Sequence, residues 1–135
     1  MVVHVGPKAL LKRRVQLRQS ADELQDTGDT ATVCLLLFYA AECGLKQRIL
    51  VRGTHRDSSA VETTHDLRKL AKDLGLPRTL GDHLDRVQTC RLAAQNSVAF
   101  SELHQAWRYG AKLEDKDEKE AQAVLRALIT WCEKD

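Results

Sequence analysis

From Thr30 to Arg52 the chain runs without a proline, and its apolar residues keep a single rhythm. Val33, Leu36, Leu37, Ala40, Ala41, Gly44, Leu45 and Ile49 recur at the three- and four-residue spacing of one helical face. Cys34, Leu35 and Phe38 add apolar surface to the other side of its first half. Such a helix must be covered on more than one side, so the spacing predicts a central buried helix with the remaining elements packed around it. Ala40, Ala41 and Gly44 are small, which lets a neighbouring helix approach closely. A chain of 135 residues is one domain by size.

The other segments read the same way. Pro7 suits the first turn of a helix, where its missing N–H costs nothing, and that helix runs to about Gln25. Lys8, Lys12, Arg13 and Arg18 form its polar face; Leu10, Leu11, Val15, Leu17 and Leu24 supply apolar surface. Asp26 to Asp29 is a turn around Gly28, and Asp29 or Thr30 caps the central helix. Gly53 to Thr63 is polar, lacks periodicity and reads as an exposed loop. Thr63 or Thr64 caps a third helix with Asp66 in its first turn and a stripe of Leu67, Leu70, Ala71 and Leu74, ended by Gly75-Leu76-Pro77. A fourth helical segment begins between Thr79 and Asp82. It turns Leu84, Val87, Cys90 and Ala94 inward, bends near Asn96-Ser97, continues through Leu103 to Trp107 and stops at Gly110. Lys112 to Asp117 is a charged turn. The last helix, about Asp117 to Glu133, places Ala121, Val124, Leu125, Leu128, Ile129 and Cys132 on one face. No strand-like alternation is present. The expected fold is all-α, a single up-and-down bundle of about five helices without a sheet.

Charge and cysteine usage narrow the function classes. The net charge is only +2, so whole-molecule attraction to nucleic acid is not implied. Residues 1–56 nevertheless hold nine basic against five acidic residues, and the remainder is net acidic. The four cysteines (34, 43, 90 and 132) show no metal-ligand spacing and sit in apolar helical context, where a free thiol behaves as a small hydrophobe. No metal, cofactor or disulfide is expected. Met1 to Lys12 lacks the apolar run of a signal peptide, and Val33 to Ala41 is far shorter than the ~20 residues a membrane span needs. A reducing cytoplasm is the expected compartment, with no membrane partner.

Three short motifs stand in order along the chain: Tyr39-Ala40-Ala41-Glu42 with Leu45-Lys46, then Thr64-His65-Asp66-Leu67 with Leu70, then Trp107-Arg108-Tyr109-Gly110. This order resembles the HEPN family (higher eukaryotes and prokaryotes nucleotide-binding domains) over about Thr30 to Cys132. The resemblance implies a HEPN-like bundle that forms a homodimer. It further implies a non-catalytic module binding a nucleotide, RNA or a protein partner such as a nucleotidyltransferase, in a bacterial or phage toxin–antitoxin or defence setting. A metal-independent ribonuclease and a structural subunit of a larger complex are the alternatives.

Some HEPN proteins cleave RNA with an Arg and a His separated by four to six residues, the His acting as acid or base and the Arg on the phosphate. Arg108 falls where that Arg stands, but positions 113, 114 and 115 are Leu113, Glu114 and Asp115. The histidine is missing. The spacing recurs at Arg78 and His83, in a loop-to-helix junction after Pro77, where an ordinary helix start with His83 exposed is the better explanation of so short a pattern. His104 and Arg108 are four residues apart and share a helical face, with Trp107 and Tyr109 beside them. A cation among aromatics suits a base or a phosphate, and the same residues could simply close the bundle. Glu42 interrupts an apolar face and needs a partner, Arg108 or Lys46. His65 follows a cap residue and either packs on a neighbouring helix, bonds backbone or touches a ligand. The candidate ligand-binding residues are therefore Glu42, Lys46, His65, His104, Trp107, Arg108 and Tyr109, with Arg78, His83, His104 and Arg108 as the catalytic alternatives.

Overall fold

The computed structural model describes residues 3–61, 64–94 and 96–134. Its elements are α1 (Pro7–Leu24), α2 (Thr30–Arg52), α3 (Leu67–Ala71), α4 (Arg78–Arg86), β1 (Thr89–Arg91), β2 (Ser97–Ala99), α5 (Leu103–Arg108) and α6 (Asp115–Glu133), with short 3-10 turns at Ser58–Ala60 and Phe100–Glu102. The chain is mostly helical, and α2 is its axis. Val33, Cys34, Leu37, Phe38, Ala40, Ala41, Leu45 and Leu50 of that helix are buried among the other elements.

α1 and α2 form an antiparallel helical hairpin. Gly28 N–H closes back on the Leu24 carbonyl at 2.7 Å, and the Asp29 side chain accepts from Thr32 N–H at 2.9 Å. Asp29 is thus the cap, and hydrogen bonds from Thr32 hold its carboxyl below the ordinary range. α6 lies in the groove of this hairpin and runs in the same direction as α2. Gln122 sits by Cys34 at one end and Cys132 by Gly44 at the other. Its predicted stripe, Ala121 to Cys132, is buried throughout.

Gly44 is the point where three helices meet. A Cβ there would lie 3.0 Å from Cys132 Sγ and 3.1 Å from Arg14 Cδ. Arg14 is a charged residue on the inner side of α1. It is buried, and its guanidinium donates to the Cys132 carbonyl at 2.8 Å. Arg48 donates to the same carbonyl at 3.0 Å while lying over the Trp131 ring. Two cations therefore cap the carboxyl end of α6, where the helix dipole favours positive charge.

The remaining segments depart from the expected helices. α3 has only five residues and is capped by Asp66, whose carboxylate accepts from Lys69 N–H; Thr64 instead accepts from Asp66 N–H, and Thr63 lies outside the described residues. The predicted fourth helix is broken in its middle. α4 ends at Arg86, and a two-stranded antiparallel hairpin follows, pairing Thr89 with Ala99 and Arg91 with Ser97. The expected helical bundle is present, but it is not free of sheet: this one small hairpin interrupts it, and Ala94, expected inside, is exposed.

The cause is tertiary. Arg91 N–H donates to Asp117 at 2.7 Å, Ala93 N–H to the Lys112 carbonyl at 2.8 Å, and Glu114 N–H to the Arg91 carbonyl at 2.9 Å. These backbone groups find partners at the start of α6, which a helical conformation would have denied them. Leu11 and Val15, counted as apolar surface of α1, are 42% and 47% exposed.

Candidate ligand-binding site

The helical spacing of α2 sets Tyr39, Glu42 and Lys46 on one face, the side covered by α3 and α5. Glu42 is the acid whose placement the sequence could not settle. Its Oε2 accepts from Lys46 Nζ at 3.0 Å, the i+4 pair expected, and its Oε1 bonds His65 Nδ1 at 2.7 Å. Arg108 is not its partner. The Arg108 guanidinium instead donates to the Tyr39 hydroxyl at 2.5 Å. The Glu42 side chain is 12% exposed, less than those of Lys46 and His65, so one largely enclosed carboxylate orients an imidazole and an ammonium together.

His104 and Arg108 stand one turn apart on α5, and both face α2. The His104 ring packs on Phe38, centroids 5.2 Å apart, and on His65 at 4.6 Å. His104 is buried, and its Nδ1 has no hydrogen-bond partner. Burial pushes its pKa below the ordinary histidine value, and His65 and Arg108 add repulsion in the same direction. The ring is accordingly neutral near pH 7. Thr64, His65, Asp66, Ser101, Glu102, His104 and Gln105 line an open hollow of about 380 Å³ beside the pair.

Arg108 and Tyr109 close the other side. Tyr109 is 77% exposed, and the Arg108 guanidinium carbon is 6.0 Å from its ring centroid. Among the described residues Arg108 pairs with no carboxylate. Gly110, at φ +75°, stops α5 just beyond, so the two side chains sit at a helix end rather than on a covered flank.

No family profile, curated protein or solved structure matches this chain.

The structure gathers six of the sequence candidates: Glu42, Lys46, His65, His104, Arg108 and Tyr109. It removes Trp107, which is buried, lies 6.5 Å edge-on from Phe38 and donates its indole N–H to Glu118 at 3.1 Å. Arg78 and His83 lie on α4, away from this cluster. Arg78 is exposed, and His83 lines a separate hollow with Leu80, Ala127 and Trp131. Position 113, where a catalytic histidine would stand, is a fully buried leucine bridged to Leu92. Tyr39 opens the first motif and also belongs to the cluster, through its bond from Arg108. The signal for it was its spacing, three residues before Glu42 and seven before Lys46.

Proposed function

We propose that this protein is a HEPN-like binding module that takes a phosphate-bearing ligand, a nucleotide or an RNA strand, at the Tyr39, His65, Arg108 and Tyr109 cluster without cleaving it. The observation that carries this reading is the Arg108–Tyr109 pair: a guanidinium that pairs with no acid among the described residues, oriented by the Tyr39 phenol and standing beside an open aromatic ring. A planar cation suits a phosphate, and an exposed ring suits a base. Glu42 leaves this charge available because Lys46 and His65 already satisfy it.

The HEPN resemblance supplies the wider setting: a homodimer in the cytoplasm, in a bacterial or phage toxin–antitoxin or defence system, with a nucleotidyltransferase among its protein partners. The ribonuclease reading keeps one specific support. A carboxylate-bound imidazole, His65, touches a neutral one, His104, which is an acid–base arrangement.

Fluorescence polarisation with a labelled single-stranded RNA and with a labelled nucleotide, together with a cleavage gel, separates the readings. Arg108→Ala should weaken binding by about 10- to 100-fold, the worth of a charge-assisted hydrogen bond. Tyr109→Ala should weaken it less, and the RNA should remain intact. Unchanged binding by Arg108→Ala would remove the site. Cleavage by wild type that disappears in His104→Ala, yet persists in His83→Ala, would replace binding with catalysis.

A further inference from the structure

We propose that two copies of this chain associate through the outward faces of α1, antiparallel and about a two-fold axis. This names the surface of the homodimer offered above and rests on that part of the reading, not on the ligand.

The argument begins with charges that stand the wrong way round. A helix dipole favours acids in the first turn and bases in the last. α1 has no acid in its first turn and no base in its last. Lys8 and Lys12 occupy its amino-terminal half, while Asp22 and Glu23 close it, with Asp26 just beyond. Asp22 has a reason within the fold, since it pairs with Arg126 at 2.7 Å and with Arg18 at 3.7 Å. Lys8, Lys12, Glu23 and Asp26 form no ion pair within the chain among the described residues, and all four are exposed. The arrangement works against the isolated helix and in favour of a partner.

That partner is a second α1. At 1.5 Å per residue, Lys8 and Asp26 lie about 27 Å apart along the axis. Turning a second copy end for end sets Lys8 opposite Asp26 and Lys12 opposite Asp22 and Glu23, twice over by symmetry. Self-complementarity of this kind is what a two-fold interface requires. Antiparallel dipoles also attract. Leu11, between the two lysines, and Val15, between the two charged ends, are 42% and 47% exposed on the same face. Beside them runs a hollow of about 610 Å³ whose rim carries Arg14 and Arg18 as well as Asp22, Glu23 and Glu133. Arg18 pairs with Glu133 and Asp22, and Arg126 with Asp22, so Glu23 is the carboxylate there that a lysine of the facing copy would meet. The apolar strip is short, so the association is of the weak, salt-sensitive kind.

Sedimentation velocity over a concentration series, at about 50 mM and about 500 mM salt, tests this with two charge-reversed chains. One carries Lys8→Glu and Lys12→Glu, the other Glu23→Lys and Asp26→Lys. Both sets place charges as the dipole prefers, so unfolding does not explain their behaviour, and circular dichroism melts confirm it. Wild type should dimerise at low salt and dissociate at high salt. Each variant alone should be monomeric, and an equimolar mixture should recover the dimer. Variants that dimerise like wild type would move the interface elsewhere while leaving the homodimer intact. A wild type that stays monomeric throughout would overturn both. Two monomeric variants that fail to recover a dimer when mixed would refute the antiparallel pairing.

Discussion

His104 is 4% exposed, rests on Phe38 and His65, and leaves Nδ1 without a partner. Its pKa is depressed first by burial, then by His65 and Arg108. The unfolded chain therefore binds this proton more readily than the folded one, and the linkage sign follows. The contribution of the neutral ring is fully present above the unfolded value of about 6.5 and is lost as pH falls below it. Urea midpoints measured from pH 7.5 to 5 should drop for wild type and drop less for His104→Phe, which keeps an aromatic ring without the titration. Parallel slopes for the two proteins would show that His104 does not titrate on unfolding. That His104 and Arg108 share a face was legible in their spacing. That one is buried while the other is exposed was not, because it depends on α5 packing against α2 at Phe38 and Tyr39. The partner of Glu42 was half legible: Lys46 is local, whereas His65 arrives from a separate helix approach.

Among the elements, the long ones could be read and the short ones could not. α2 begins and ends where its cap and periodicity place it, and α6 buries its predicted stripe, because each carries enough apolar repeats to outweigh local ambiguity. The β1–β2 hairpin was invisible. Cys90 and Val98 fit either period, and the choice is made by Asp117 and Lys112, residues distant in sequence that accept the hairpin's N–H groups. α5 is too short to announce itself, but Gly110 marks its end. The residue sits at φ +75°, open space surrounds the position of a Cβ, and only the backbone conformation opposes a side chain. Gly110→Ala should lower stability by about 1–2 kcal/mol, the cost of a left-handed L-residue, without a steric contribution. Denaturant unfolding provides the measurement. A neutral or stabilising effect would mean that the turn relaxes to a negative φ.

At the scale of the molecule, everything leans on α2. Leu37 is fully buried at the centre of that helix. Leu37→Asp combines an unpaired charge with a lost side chain and should cost more than about 4 kcal/mol, a large share of the ~5–15 kcal/mol that holds a domain together. Expression in inclusion bodies or loss of a cooperative melt is the expected outcome; a soluble, cooperatively melting variant would mean that the core lies elsewhere. The same dependence governs the candidate site. Glu42 reaches His65 across 23 residues of chain, and Tyr39 reaches Arg108 across 69. No contiguous fragment shorter than that span contains both contacts. Both also cross between separate elements, so a chain with α3 or α5 undocked presents the residues without the arrangement. A ligand bound at the cluster would select the fully assembled molecule and by mass action hold α3 and α5 in place, adding about 2.7 kcal/mol at a concentration one hundred times its dissociation constant. Occupancy and integrity of the chain are then one equilibrium seen from two ends.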